Sequence, residues 1–152
     1  MIYHEKGNIV TDNYPIFCHQ VNCKGVMGAG LAKQIREKYP EVFEEYEKKC
    51  IFGKNLGTIQ AVRLHDGRIC VNIFAQKGFG VGRIYTDYTA FAECLKRLSG
   101  LLNSAGMNRF DTFAFPYGIG CGLAGGDWNI IYGMIEGFSE TVKQKVIIVN
   151  RG

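Results

Sequence analysis

Two glycine-rich segments determine how the rest of this sequence is interpreted. The first is HQVNCKGVMGAGLAKQIREKYP at residues 19–40, and the second is FPYGIGCGLAGGDW at residues 115–128. Each leaves an apolar run typical of a buried strand and enters a helical pattern, so each glycine cluster is predicted to be a strand-to-helix loop. The chain has 20 glycines in 152 residues, more than the average protein, and they cluster rather than scatter.

The hydrophobic pattern around these segments alternates between strand and helix. Pro40 ends one helix and can open the next at its first turn. Asp66-Gly67 is a hairpin signal, so the two strands it joins should be antiparallel. We therefore expect an α/β fold: a single domain over residues 1–152 with a mixed sheet sandwiched between helices. The predicted strands are 2–4, 16–21, 57–64, 68–75, 112–116 and 145–149, and the predicted helices are 29–39, 40–50, 85–105 and 128–142.

Charge and cysteine usage narrow the class of protein. The formal charge of +4 is mild, and Lys and Arg form no stripe interleaved with aromatic residues, which favours an anionic ligand over a nucleic-acid footprint. Cys18, Cys70 and Cys121 lie inside or just after apolar runs, and no CxxC or Cys/His cluster occurs, so we expect buried thiols and no metal or other cofactor. The N-terminus MIYHEKGNIV has no basic segment followed by an apolar run. We expect a cytoplasmic protein with no membrane span.

The two glycine loops suit a phosphate group. Glycine lets main-chain N–H groups approach a ligand closely, and a helix N-terminus adds unpaired donors and partial positive charge. Neither loop is a Walker A motif, because no Lys-Ser/Thr follows the glycines. The spacing Gly25-x-x-Gly28-x-Gly30 also fails the Rossmann fingerprint, which disfavours a dehydrogenase-type fold. A tight strand-to-helix turn explains either loop alone, but two loops at matching strand ends favour a phosphate-bearing ligand.

Together the segments resemble the macrodomain superfamily. More narrowly, they are similar to the branch that includes yeast-type ADP-ribose-1''-phosphate phosphatases and macrodomains that hydrolyse ADP-ribosyl esters. The resemblance covers essentially the whole chain and implies a three-layer α/β/α sandwich whose ligand is ADP-ribose or a derivative, free or attached to protein or nucleic acid. The implied ligand-binding residues are Asn8 and Ile9 at the adenine, Gly25, Val26, Met27, Gly28, Ala29, Gly30 and Leu31 at the distal ribose and diphosphate, and Gly118, Ile119, Gly120, Cys121, Gly122 and Leu123 around the diphosphate from the other side.

Three residues are candidates for chemistry by the same resemblance. Asn22 is expected to hydrogen-bond the distal ribose. His19 matches a histidine of the phosphatase-like branch and is a candidate acid or base, although a satisfied core histidine is the alternative. Asp127 is either a catalytic acid or the N-cap of the following helix.

The chain departs from the ester-cleaving macrodomains at two positions. Ala124 stands where those enzymes have an acid, and Gln76 falls where they have a lysine, with Lys77 one residue along. Lys77 is predicted to be a surface lysine. The departures leave two functions open: hydrolysis of the distal-ribose substituent of ADP-ribose, with the 1''-phosphate as leading substrate, or non-catalytic binding of free or protein-linked ADP-ribose.

Overall fold

The computed structural model describes residues 1–79 and 82–151, and within them one sheet of six strands lies between two pairs of helices. Gly80, Val81 and Gly152 belong to the predicted domain but lie outside the described residues. The strands are β1 (Ile2–Lys6), β2 (Ile16–Asn22), β3 (Ile59–Arg63), β4 (Ile69–Gln76), β5 (Thr112–Pro116) and β6 (Lys145–Asn150). The helices are α1 (Gly30–Lys38), α2 (Pro40–Ile51), α3 (Tyr88–Leu102) and α4 (Trp128–Ser139). The predicted α/β sandwich with a mixed sheet is confirmed.

The strand order β1-β6-β5-β2-β4-β3 places a switch point between β5 and β2. After β2 the chain crosses to α1 and α2 on one face of the sheet, and after β5 it crosses to α4 on the other. The two strands pair in register at Phe17 and Ala114, whereas β5 pairs with β6 along its whole length. In open α/β sheets the crevice at such a point is the usual ligand site.

Two apolar cores cover the two faces of the sheet. Alternate residues of β2 serve each core: Ile16 and Cys18 face α3 and α4, while Phe17 and Val21 face α1 and α2. This division follows from the two-residue period of a strand and accounts for the unbroken apolar runs in the sequence. Among the described residues, no helix is long and apolar enough to cross a membrane.

The predicted hairpin and the predicted proline junction both form. β3 and β4 are antiparallel, and Gly67 turns the chain between them with a φ of 91°. Tyr39 ends α1 and directly precedes α2, whose first residue is Pro40. Proline has no N–H to complete another turn of α1, but its fixed φ suits the start of α2.

Two predicted helices are too long. The prediction for α3 was 85–105, but Asp87 caps the helix by accepting a hydrogen bond from the Ala90 N–H at 3.0 Å, and the helix ends at Leu102. The preceding residue, Thr86, instead forms an isolated bridge with Gln76. The prediction for α4 was 128–142, but the helix ends at Ser139, after which Thr141 turns back to donate both its N–H and its hydroxyl to the Phe138 carbonyl.

Arg68 anchors the loop that joins β1 to β2. Its guanidinium donates to the backbone carbonyls of Ile9, Val10 and Tyr14 at 2.7–2.8 Å and stacks 4.3 Å from the centre of the Phe17 ring. A planar guanidinium presents several donors in one fixed fork, and an ammonium group lacks that geometry. The single guanidinium of Arg68 therefore holds three carbonyls of the β1–β2 loop at once.

Removing this guanidinium should destabilise the protein. We expect Arg68→Met to lower the free energy of unfolding by about 3 kcal/mol, because three carbonyls lose a charged donor. Arg68→Lys should recover only part of the loss. Arg63→Met, which changes an exposed arginine on β3, is the control, and urea unfolding is the measurement. Equal stability of the Arg68→Met and Arg63→Met variants would contradict the anchoring role.

Candidate functional site

A cavity of about 540 Å³ opens at the carboxyl ends of β2 and β5. Its lining comes from the end of β2, both glycine loops, the first turn of α1 and the residues after β4. Volumes of this size are typical of small-molecule sites. Phe79, Tyr117 and Leu123 stand at the cavity with more than half of each residue exposed, so the mouth is apolar and aromatic.

The first glycine loop is held in place by Asn22 and Tyr46. The Asn22 carboxamide donates to the Val26 carbonyl at 2.8 Å and accepts from the Lys24 N–H at 2.9 Å. The Tyr46 hydroxyl, which belongs to α2, donates to the Asn22 Oδ1 atom at 2.7 Å. It accepts from the N–H groups of Gly25 and Val26, each at 3.1 Å. Burial raises the pKa of Tyr46, so its hydroxyl keeps its proton. Asn22 thus both holds the loop through hydrogen bonds and lines the cavity.

The N-terminus of α1 opens into the cavity without a cap. Its N-cap residue is Ala29, which has no side-chain acceptor, and its first turn contains no acidic residue. The next three residues, 30–32, all line the cavity. By contrast, α3 and α4 are capped by the carboxylates of Asp87 and Asp127. The helix that faces the cavity therefore leaves its terminal N–H groups and positive dipole end for an anion.

The second glycine loop folds tightly over the end of β2. Gly120 has a φ of 76°, and a Cβ there would lie 2.8 Å from the Gln20 Oε1 atom. A Cβ on Gly126 would lie 2.6 Å from the Gly120 carbonyl oxygen. The buried Thr86 hydroxyl donates to that same carbonyl at 2.6 Å and accepts from Gln20 at 3.0 Å. Glycine is favoured at position 120 by the positive φ and required at position 126 because a backbone carbonyl leaves no room for a Cβ.

His19 is the buried titratable group of the cavity lining. It is 1% exposed, and its Nε2 atom lies 2.5 Å from the Asn72 Oδ1 atom, while Nδ1 has no hydrogen-bond partner among the described residues. Burial lowers the pKa of His19 to about 4, opposed in part by the hydrogen bond to Asn72. The imidazole is therefore neutral at physiological pH and carries a free lone pair.

The cavity brings together most of the residues predicted for the site. Those that line it are His19, Asn22, Val26, Met27, Gly28, Ala29, Gly30, Leu31, Gly118, Ile119, Gly120, Gly122 and Leu123. The lining does not include Asn8, Ile9, Gly25, Cys121 or Asp127. The cavity thus brings together residues of both loops, while the residues predicted for the adenine and the predicted acid lie outside its lining.

Each residue outside the lining has a structural reason to be there. The Asn8 carboxamide oxygen accepts from the Val10 and Thr11 N–H groups in a local turn, and Ile9 packs into the core beneath α1 and α2. The Gly25 N–H is turned to Tyr46. Cys121 packs against the core on the α3 and α4 side.

Asp127 and Lys77 are both occupied outside the cavity. Asp127 is exposed, and its carboxylate caps α4 by accepting from the Asn129 N–H at 2.9 Å. The structure thus places Asp127 at the helix cap, which the sequence analysis gave as the alternative to a catalytic role, and outside the cavity lining. Lys77 is an exposed lysine whose Nζ lies 3.4 Å from the Asp87 carboxylate, as the surface reading predicted.

Sequence reasoning missed a polar group behind the second loop. Gln20, Gln76 and Thr86 are joined by hydrogen bonds from the Gln20 amide at 3.2 and 3.0 Å, and both glutamines line the cavity. Gln20 interrupts an apolar strand, which signals a specific contact. Its partners come from two other elements, so the sequence alone does not reveal them.

The fold and the cavity define an α/β protein with a crevice at a strand switch point, into which an uncapped helix N-terminus opens. The Macro domain family model matches residues 18–134, and the chain therefore belongs to the Macro domain family.

Individual proteins are also similar to this chain in sequence. The 17.5 kDa protein of the tk-vs intergenic region of Enterobacteria phage T4 is 29% identical over 140 residues, covering 87% of this chain and 83% of the relative. The DNA ADP-ribosyl glycohydrolase of Mycobacterium tuberculosis is 41% identical over 54 residues, covering 36% of this chain and 15% of the relative's length. The chain thus matches a small part of that longer protein.

Solved structures share the fold. The macrodomain of Mycobacterium tuberculosis DarG superposes with a TM-score of 0.84 at 24% identity, covering 99% of this chain and 97% of that one. Thermosipho africanus DarTG in complex with ADP-ribose gives a TM-score of 0.77 at 17% identity, covering 98% of this chain and 41% of that one. At these identities the likeness establishes the fold.

The Tyr46 hydroxyl should govern the order of the first loop. We expect Tyr46→Phe to accelerate amide hydrogen exchange at Gly25 and Val26 and to cost about 1–3 kcal/mol of stability, because two partly buried N–H groups lose their acceptor. Hydrogen exchange followed by NMR is the measurement. Tyr132→Phe removes a hydroxyl that contacts His4 elsewhere on the surface and serves as the control. Unchanged exchange in Tyr46→Phe would show that the loop needs no such support.

The buried imidazole of His19 should make stability depend on pH. Because the folded-state pKa of His19 is about 4, the unfolded chain binds a proton near pH 6 that the folded chain does not. Stability should therefore fall as the pH drops from about 6.5 to 4, with His19 contributing about 2–3 kcal/mol between pH 7 and pH 4.5. Urea unfolding of the wild type and His19→Gln at both pH values measures the difference. The same pH dependence in both proteins would contradict a depressed pKa.

Proposed function

We propose that this protein binds ADP-ribose in the cavity and hydrolyses the substituent on C1'' of its distal ribose. The observation that carries the proposal is the uncapped N-terminus of α1, which opens between two glycine loops at the switch point of the sheet. Membership of the Macro domain family supports this ligand, as does the ADP-ribose bound in the Thermosipho africanus structure of the same fold.

The diphosphate is the part of the ligand that the loops recognise. Main-chain N–H groups at the start of α1 and in the second loop supply donors, and the dipole of α1 favours negative charge. These donors are fixed in advance, because Tyr46 and Thr86 hold the two loops from behind. Preorganised donors of this kind stabilise charge without reorganising during the reaction.

The apolar mouth suits the rest of a nucleotide sugar. Phe79 and Tyr117 offer aromatic faces at the cavity, and Leu123 extends its apolar edge. A shallower groove lined by Gly82, Arg83 and Ile84 adjoins the cavity and shares Gly122 and Leu123 with it. This groove leaves room beside the second loop for a substituent larger than phosphate.

His19 is the group that we assign to proton transfer. With a 1''-phosphate, a water molecule admitted to the buried Nδ1 atom gives its proton to the lone pair there as the water oxygen attacks phosphorus. The bond between phosphorus and the C1'' oxygen then breaks, and the imidazolium returns its proton to that oxygen. The products are ADP-ribose and inorganic phosphate. The low pKa of His19 keeps the lone pair free at neutral pH and makes return of the proton favourable, and it also makes the imidazole a weak base in the first step, since acid–base catalysis is most efficient when the pKa lies near the operating pH.

A second candidate function is binding without turnover. Within the described residues, the cavity lining includes no acidic side chain and no lysine. Asp127 and Lys77, the other candidates for chemistry, are engaged in a helix cap and an ion pair. Every feature of the glycine loops serves a reader of ADP-ribose equally well.

Calorimetry and a substrate panel separate the two functions. We expect ADP-ribose to bind more tightly than NAD or ATP, and ADP-ribose-1''-phosphate to release phosphate. The panel also includes O-acetyl-ADP-ribose, glutamyl-linked ADP-ribose and ADP-ribosylated DNA, the last because of the mycobacterial relative's name. Binding without turnover of any substrate would establish the reader function, and loss of preference for ADP-ribose would refute both.

Two variants test the assigned chemistry. His19→Gln should lower kcat by about 10²–10⁴-fold, the usual contribution of an acid–base group, with a smaller effect on affinity for ADP-ribose. Asp127→Asn retains an oxygen that can cap α4, so it should fold normally and keep most of its turnover. A large loss of kcat in Asp127→Asn would restore Asp127 as a catalytic group, and full activity of His19→Gln would remove His19.

A further inference from the structure

A row of hydrogen bonds crosses three strands beneath α2 and ends on His19. The Gln60 amide on β3 donates to the Glu45 backbone carbonyl of α2 at 2.9 Å. The Asn72 amide on β4 donates to the Gln60 Oε1 atom at 3.0 Å, and the Asn72 Oδ1 atom lies 2.5 Å from His19 Nε2 on β2. Asn72 is fully buried, and its register partners are His19 and Gln60.

The backbone carbonyl of Glu45 sets the direction of every bond in this row. A carbonyl oxygen only accepts, so Gln60 must present its NH₂ group to Glu45 and its oxygen to Asn72. Asn72 must then present its NH₂ group to Gln60 and its oxygen to His19. Because that oxygen also only accepts, the proton of the neutral imidazole belongs on Nε2, and Nδ1 carries the lone pair.

Within the described residues, no charged group next to His19 competes with Asn72 in deciding which imidazole nitrogen is protonated. The pKa of His19 is shifted by burial and by Asn72, with no charged neighbour contributing. The other titratable groups in the core on this face are Tyr14, Tyr39, Tyr46 and Cys70, with Cys23 and Cys50 packed against it. Burial raises the pKa of each of these groups, so all are neutral at physiological pH. Arg68 stacks on Phe17, two residues before His19, but its guanidinium donates to loop carbonyls and to Tyr39. Hydrogen bonding therefore decides which nitrogen is protonated.

We propose that Asn72 and Gln60 are positioning residues that fix His19 as the Nε2–H tautomer, so that the lone pair lies on Nδ1, the buried atom that the proposed function uses as proton acceptor. This inference rests on the proposed function for the role of Nδ1, but the tautomer itself is independent of it. Neither residue lines the cavity. Both act through His19, in the way that outer hydrogen bonds orient a functional imidazole.

NMR of the histidine nitrogens tests the tautomer directly. In the wild-type protein, the His19 side chain should show a protonated Nε2 and an unprotonated Nδ1. Gln60→Met keeps the size of the side chain but removes its polar atoms, so Asn72 is free to rotate and the Nδ1–H form should become populated. Gln144→Met is the matched control, because it removes another glutamine hydrogen bond to a backbone carbonyl, that of Leu102, on the far face.

A second variant, Asn72→Asp, tests the contact with His19 through the pKa of the imidazole. Asn72→Asp places a carboxylate against the imidazole and should raise the pKa of His19 by about 1–3 units, moving the acid limb of the kcat/KM profile by the same amount. Gln60→Met should lower kcat by about 10-fold or more with little change in KM, as expected for outer-sphere positioning. Gln144→Met should alter neither the tautomer nor kcat.

The outcomes distinguish this inference from the proposed function. An Nδ1–H tautomer in the wild type, or a Gln60→Met spectrum identical to that of Gln144→Met, would overturn the positioning role. An unshifted His19 titration in Asn72→Asp would do the same. If the wild type turns over no substrate but shows the predicted tautomer and its loss in Gln60→Met, the hydrolytic function fails while the positioning of His19 stands.

Discussion

The rest of the molecule depends on one constraint, which is that the connections after β2 and β5 run to opposite faces of the sheet. These neighbouring strands send their following segments to opposite faces of the sheet, so no connection can close over the gap between their ends. Their pairing is centred on Phe17 and Ala114, and beyond it both strands lead into glycine loops. The cavity is therefore a product of topology first, and the side chains that line it refine a crevice already present.

Both glycine loops are supported from behind by hydroxyl groups. Tyr46 holds the first loop through two N–H groups, and Thr86 holds the second through the Gly120 carbonyl. The hydroxyls belong to α2 and to the segment before α3, and neither residue lines the cavity. Glycine gives each loop the close approach that it needs, and a buried hydroxyl supplies the rigidity that glycine lacks. The two loops can therefore be rich in glycine and still hold one fixed conformation.

Sequence reasoning succeeded where the signal is local and failed where it depends on a distant partner. Asp66-Gly67, Pro40 and the apolar runs each predict an element from neighbouring residues, and those elements form. The predicted bounds of α3 and α4 run past their observed ends because the apolar periodicity continues beyond the residues at which the helices begin and end, such as the cap at Asp87. The roles of Asn72 and Gln60 were not foreseen, since their bonds arise from the register of three strands. Cys121 was expected both as a buried thiol and among the ligand-binding residues, and it packs against the core and lies outside the cavity lining.

The uncapped helix at Ala29 has a consequence for how this protein can evolve. A serine or aspartate at position 29 would stabilise α1 by about 1 kcal/mol, the usual worth of an N-cap. The same side chain would occupy the N–H groups that an anion in the cavity needs, so greater stability there would compete with occupancy. At position 29, stability and function therefore oppose each other. Ala29 leaves α1 less stable than a capping residue would, and it keeps the terminal N–H groups of the helix available to a ligand.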